Sequence, residues 1–180
     1  HSFCRKKSYL SALGAVSSYQ NNVLKETIHY FKYQKIINLA NPLSCLLKEF
    51  LLNSFFFQNL VKDEKKEILV VPLPLHSKKK KERGFNQAEL MGRFLASFFK
   101  LPFDNHLLWR TKETRPQSLL GKKERKENVK NAFAVLPGKR CPQAILLVDD
   151  VWTSGASLKN AAFALKHRGA SLVWGLTLCR

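Results

Sequence analysis

The sequence predicts an α/β protein: an open, mostly parallel, twisted sheet flanked by helices. Three observations carry this. Ile145, Leu146, Leu147 and Val148 are consecutive branched apolar residues that need burial on both faces, as in a central strand of a parallel sheet. A second such run, residues 68–71, is cut off by Pro72 and Pro74, which cannot donate to a ladder. Helical periods lie between and after these runs, the alternation that builds parallel sheets.

Taken in order, residues 8–18 alternate loosely through Leu10, Ala12 or Leu13 and Val16, predicting a short strand before the turn Gln20-Asn21-Asn22. Leu24, Ile28 and Phe31 share one side of a helix over about 23–33. Asn41-Pro42 reads as the next helix start, Asn capping and Pro in the first turn. Leu43, Leu46, Leu47, Phe50 and Leu51 then repeat at helical spacing through about Phe57. A charged connector, 63–67, leads to the 68–71 strand, and 73–83 reads as a loop. Asn86 and Glu89 form a capping box opening a helix whose Met91, Phe94, Leu95 and Phe98 face the core. Residues 107–110 form a short strand. From Thr111 to Val129 there is no apolar period, and so long a polar stretch is a functional lid or a disordered excursion. A strand at 133–136 and the turn Pro137-Gly138 lead into the central strand. Leu158, Ala161, Ala162 and Leu165 mark the following helix, Gly169 its C-cap, and 172–178 the final strand.

Composition narrows the class. The 180 residues suffice for one ordinary domain with a modest appendage, burying roughly 70% of the unfolded surface without disulfide staples. At 45% hydrophobic, with 13 Phe, the chain is no disordered linker. No apolar run approaches the ~18–20 residues of a membrane span, and residues 43–60 are interrupted by Lys48 and Glu49. Cys4, Cys45, Cys141 and Cys179 form no Cys-x-x-Cys pair, which fits reduced thiols and a cytoplasmic protein. The formal charge is +18. Between Lys78 and Arg140 there are 17 Lys or Arg against 6 Asp or Glu, a net +11 in one third of the chain. This field either attracts polyanions, from diphosphates to nucleic acid, or is a solvated lysine-rich surface.

The chemistry concentrates where the central strand stops. Asp149 and Asp150 follow it directly, and Thr153, Ser154, Gly155, Ala156 and Ser157 then open a helix. Small and hydroxyl residues at a helix N-terminus gather backbone amides for a phosphate monoester. Two carboxylates at a strand's carboxyl end accept hydrogen bonds from a sugar diol, or stand near a divalent cation whose oxygen ligands come mostly from a diphosphate and water. Against this stands a polar turn with Asp150 or Thr153 as an ordinary cap; the density of these residue types favours the phosphate site.

At these residues the chain resembles the type I phosphoribosyltransferases, whose phosphoribosyl-pyrophosphate loop has this Asp-Asp-x-x-Thr-Ser-Gly-x-Ser form. The segments Val71-Pro-Leu-Pro-Leu-His76, Arg83-Gly-Phe-Asn-Gln87 and Arg110-Thr-x-x-Thr-x-Pro-Gln117 follow the order and spacing of one branch, the ComF (competence protein F) family. The likeness covers almost the whole chain. It implies a small hood-like or flanking N-terminal segment of a strand and helices over 1–67 and a phosphoribosyltransferase-type core over 68–180, with a flexible lid at about 111–130. It further implies Asp149 and Asp150 as catalytic carboxylates on the ribose hydroxyls, and residues 153–157 around the 5′-phosphate. Leu75, His76 and Arg83 would meet the pyrophosphate, with Arg110, Arg115, Gln117 and Arg125 as polar lid residues. Lys32 would lie beside this site or be solvated. Mg2+ would be held mainly by the diphosphate, with no direct protein ligand. Relatives commonly begin with a zinc ribbon of two Cys-x-x-Cys pairs, of which Cys4 would be a remnant. The chain begins at His1, so a zinc site is expected upstream of it rather than within it.

Two functions follow. One is a ComF-type phosphoribosyltransferase-like protein that binds phosphoribosyl pyrophosphate with magnesium, serves natural transformation and works with the DNA-uptake machinery. Its acceptor is unspecified, because the chain ends two residues after Leu178 and leaves an acceptor site to the N-terminal segment, or to none. The other is a single-stranded DNA-binding competence protein whose sugar-phosphate site is regulatory or vestigial. There Lys78, Lys79, Lys80 and Lys81 contact the backbone, and Phe85, Trp109 and Trp152 either stack bases or fill the core.

Overall fold

A computed structural model describes residues 9–62, 67–111 and 132–180. β1 (Ala12–Ser17), β2 (Ile68–Pro72), β5 (Ala144–Val148) and β6 (Leu172–Cys179) form one parallel sheet in the order β1-β6-β5-β2. β3 (Leu108–Arg110) and β4 (Phe133–Val135) pair as a separate antiparallel hairpin. The parallel α/β sheet is as the sequence predicts.

β5 shows why the central run is apolar throughout. Leu147 pairs with Val71 of β2 on one side and Gly175 of β6 on the other. Ala144, Leu146 and Val148 enter one core and Ile145 and Leu147 the other, so there is no solvent face to carry polar residues. The first core lies under α1 (Asn22–Tyr33), α2 (Ala40–Leu52), α3 (Phe55–Lys62) and α5 (Gln87–Phe99), through Phe31, Leu47, Phe57 and Met91 among others. The second lies under α6 (Ala156–His167), whose Leu158, Ala161, Ala162 and Leu165 are buried, and under the hairpin. The outer edge of β2 is not bare. The Val70 amide donates to the Pro102 carbonyl at 2.9 Å and the Asp104 amide to the Val70 carbonyl at 3.1 Å, pairing this edge locally.

Several local expectations are corrected. Asn41 does not cap a helix: α2 begins at Ala40, running on from a 3-10 turn at Ile37–Leu39, with Leu39 at the N-cap and no side-chain cap. That helix stops at Leu52, and the Ser54 hydroxyl accepts from the Phe57 amide to start α3. The expected loop 73–83 is half helix, α4 (Ser77–Arg83). His76 caps it by accepting from the Lys78 amide through Nδ1 at 3.4 Å, and Gly84, at φ +84°, ends it. The capping box of α5 is half formed. Asn86 Oδ1 accepts from the Ala88 amide, but the Glu89 carboxylate accepts from Arg93 and Asn105 instead. Phe98 is not core; it is 49% exposed with Lys48 over its ring. Cys4 and the lid beyond Thr111, including Arg115, Gln117 and Arg125, lie outside the described residues.

Candidate functional site

β2 and β5 are neighbours that end level, Pro72 opposite Val148. The chain then leaves them toward opposite faces, β2 leading to α5 in one core and β5 to α6 in the other. A crevice opens at such a switch point, outside the carboxyl ends of the strands. Here it is a cavity of about 160 Å³ with Asp149 and Asp150 on one wall.

Both acids stay on the sheet by their main chain. The Asp149 amide donates to the Leu176 carbonyl at 2.9 Å and the Leu178 amide to the Asp150 carbonyl at 3.0 Å, continuing the β5–β6 pairing past the strand end. Their side chains are thus fixed at the rim. Asp150 is 8% exposed and pairs with Lys32 Nζ of α1 at 2.8 Å, which compensates a carboxylate otherwise costly to bury. Asp149 Oδ1 accepts from the Asp150 amide at 2.9 Å. The residue keeps some surface at the cavity wall, but dense surrounding protein desolvates its carboxyl. That burial, with the adjacent Asp150 charge adding to it, pushes Asp149 up to about 7; Lys32 and Arg110 pull the other way.

The opposite wall is cationic. Lys79 and Arg83 stand one helical turn apart on α4 and both line the cavity, as does Arg110 from the end of β3. Lys79 is held below the ordinary lysine value, by burial first and then by Arg110, Arg83 and Lys32 around it. Burial also lowers Arg110, which Asp149 partly offsets. With Lys32 the cavity wall carries four cations against Asp149 and Asp150, a surplus of two positive charges. Such crowding repels internally and is relieved by an anion.

The floor is set by the start of α5. Asn86, 7% exposed, donates to the Leu73 carbonyl at 3.1 Å and ties the turn after β2 to the helix it caps. Gln87 Oε1 accepts from Arg83 Nη1 at 3.2 Å, steadying the guanidinium at the wall.

After Asp150 the Trp152 amide donates to the Cys179 carbonyl, and the loop then turns through Gly155 into α6. Gly155 sits at φ +69°, and a Cβ there would run into the Trp152 indole, so glycine is required on two counts. Asp149, Thr153, Gly155 and Ser157 line a recess of about 20 Å³, room for roughly one water. The Ser154 hydroxyl accepts from the Ala156 amide at 3.3 Å. Cys179, next to Asp150, is pushed up to about 11 by burial and then by that charge, so it stays a thiol.

The crevice therefore gathers Leu75, Arg83, Arg110, Asp149, Asp150, Thr153 and Ser157 from separate elements. Gly155 stands at the smaller recess. His76 is not on the cavity wall; its ring caps α4. The lysine run divides: Lys79 turns inward, while Lys78, Lys80 and Lys81 are exposed. Lys32 joins Asp150, which decides between its two expected places. Sequence reasoning does not reach the inward placement of Lys79 or the supporting roles of Asn86 and Gln87. The i, i+4 spacing of Lys79 and Arg83 is the signal that could have found the first, and it has meaning only on a helix. Phe85 packs on Phe31 at 5.4 Å, whereas Trp109 is 47% exposed. Among the described residues no group of three or more His, Cys, Asp or Glu is placed to hold a metal ion, and no helix is long and apolar enough to cross a membrane.

No family model matches the chain. Individual relatives do. It is 30% identical over 185 residues to "Competence protein F" of Haemophilus influenzae, covering 92% of this chain and 81% of that protein. It is 32% identical over 158 residues to "DNA utilization protein YhgH" of Escherichia coli strain K12, covering 87% and 67%. "Competence protein ComFC" of Bacillus subtilis is 31% identical over 163 residues, covering 89% of this chain and 61% of the relative.

Proposed function

The chain belongs to the ComF (competence protein F) family, and from that premise we propose that its crevice binds phosphoribosyl pyrophosphate with magnesium, as part of a competence or DNA-utilisation role like the one its relatives are named for. The observation that carries this is the cation-surplus cavity around a carboxylate pair at the switch point of a parallel sheet.

In this reading Asp150, steadied by Lys32, accepts from a ribose hydroxyl, and Asp149 faces the anomeric side. Their negative charge favours the positive charge that develops as the C–O bond to the diphosphate lengthens. The bonding pair leaves with the diphosphate, and Lys79, Arg83 and Arg110 stabilise it there. An incoming nitrogen lone pair forms the new C–N bond, and the nitrogen's proton passes to solvent or to a diphosphate oxygen. Among the described residues no group of three or more acidic, histidine or cysteine side chains is placed to hold a metal, so the carboxylate pair suits magnesium carried in by the diphosphate and water, which when bound would neutralise diphosphate charge. Residues 153–157 take the 5′-phosphate. The recess there holds about one water, so the Trp152 indole has to swing off Gly155 for a phosphate to enter.

Calorimetric titration with phosphoribosyl pyrophosphate and magnesium tests the assignment. The wild type binds, and Asp149→Asn with Asp150→Asn loses at least about tenfold in affinity, since a ribose hydroxyl then meets no carboxylate. Unchanged affinity in the double variant would show the ligand sits elsewhere.

A second reading rests on the outward lysines of α4 and the exposed ring of Trp109. Single-stranded DNA then tracks Lys78, Lys80 and Lys81, with affinity falling steeply as salt rises. No retardation of single strands at low salt rejects it.

A further inference from the structure

A larger cavity, about 440 Å³, lies against the crevice and shares Lys32, Lys79, Val151 and Thr153 with it. Its own wall is α1 and the turn before it, presenting Tyr19, Lys25, His29 and Tyr33. We propose that this cavity binds a nucleotide, its base against the aromatic wall and its phosphate among Lys25, Lys32 and Lys79.

The size falls in the range of sites that enclose small ligands, about 300–1,000 Å³. The aromatic surface is unusual for a helix of this kind. α1 buries Leu24, Ile28 and Phe31 against the core, yet Tyr33 on its other side is 57% exposed, and Tyr19 before it 44%. Both rings are held in place. Lys25 Nζ lies 5.4 Å from the Tyr19 centroid and the Arg83 guanidinium 5.3 Å from that of Tyr33. The His29 ring leans on Tyr33, centroids 4.7 Å apart and planes tilted by 41°, adding a further aromatic contact to this wall. Three ammonium groups face the space against one carboxylate of its own wall, Glu26, and one of the three, Lys32, also pairs with Asp150 of the crevice. A sugar phosphate has no π-face for the rings, and a neutral base has no charge for the lysines. A nucleotide uses both. The role of this cavity as the acceptor side of the crevice rests on the function proposed above; the binding itself stands on this wall alone.

Calorimetry on the full chain tests it, with adenosine 5′-monophosphate, a short oligothymidylate and, as the sugar-phosphate control, ribose 5-phosphate. Tyr19→Ala and Lys25→Glu are suitable variants, since both side chains are exposed and thermal melts verify that the fold is kept. Each weakens binding of the nucleotide probe about tenfold, as expected when one stacking ring or one phosphate-binding ammonium is removed. Neither changes binding of phosphoribosyl pyrophosphate with magnesium. Tighter binding of the oligothymidylate identifies a strand as the source, and tighter binding of the monophosphate a free nucleotide. Nucleotide probes that bind no better than ribose 5-phosphate, or are indifferent to both substitutions, overturn the proposal. A wild type that binds nucleotides but not phosphoribosyl pyrophosphate overturns the reading of the crevice and leaves this one standing.

Discussion

After β5 the chain turns on small residues, with main-chain pairing up to Trp152, a positive-φ glycine and hydroxyls before α6. After β2 it passes two prolines and enters α4, which sends Lys79 and Arg83 into the same crevice on long side chains. One loop shapes its side of the site with backbone, and the other charges its side with flexible cations. The difference teaches what each tolerates. A backbone-built wall fails when a single atom is added, whereas a charge-built wall loses function in increments.

The sharpest way to break the comparison is Gly155→Ala. The added Cβ meets Trp152 in a left-handed conformation, and we expect a stability loss of about 2–4 kcal/mol in denaturant unfolding together with loss of phosphate-ligand binding. Adding Trp152→Ala recovers the part due to the clash and not the part due to φ. Full recovery in the double variant would mean that the backbone strain is negligible.

A second effect follows from Asp149. Its folded-state value, about 7, stands above the ordinary carboxylate value of 3.8, so the folded chain holds this proton more tightly than the unfolded one. Its contribution to stability therefore declines as pH rises from about 4 through about 7 and is level above that. Thermal melts across this range show the decline in wild type, and Asp149→Asn flattens it. A variant with the same slope as wild type would assign the titration to another group.

The smallest effect separates neighbours on α4. Lys79→Ala is expected to weaken diphosphate binding by about tenfold, because it removes a half-buried ammonium from the crevice wall, while Lys81→Ala changes it less than twofold. Equal effects from the two would return the lysine run to a diffuse electrostatic role.

The same contrast decides what was readable in the sequence. β5 and the turn after it were legible because their determinants are local: four apolar residues, two acids, then small and hydroxyl residues in unbroken order. α4 was not, because Lys78, Lys79, Lys80 and Lys81 carry no apolar period. What makes it a helix is a histidine cap and a terminal glycine, and what puts Lys79 on the crevice wall is its place on that helix, one turn before Arg83 on the same side. Lys32 was visible only as a lone cation on an amphipathic helix. Its meaning comes from α1 crossing over the end of β5, a juxtaposition of residues more than a hundred positions apart. Asn41-Pro42 carried a valid start signal that lost to the preceding 3-10 turn, which already led the chain into α2.

Lys32 stands in the wall of both cavities while gripping Asp150. Were both cavities to take the guests proposed for them, a hydroxyl claiming this carboxylate would loosen the ammonium, and a phosphate on the far side would draw it away. The two sites would then be coupled through this one cation, each guest altering the other's grip by the same factor.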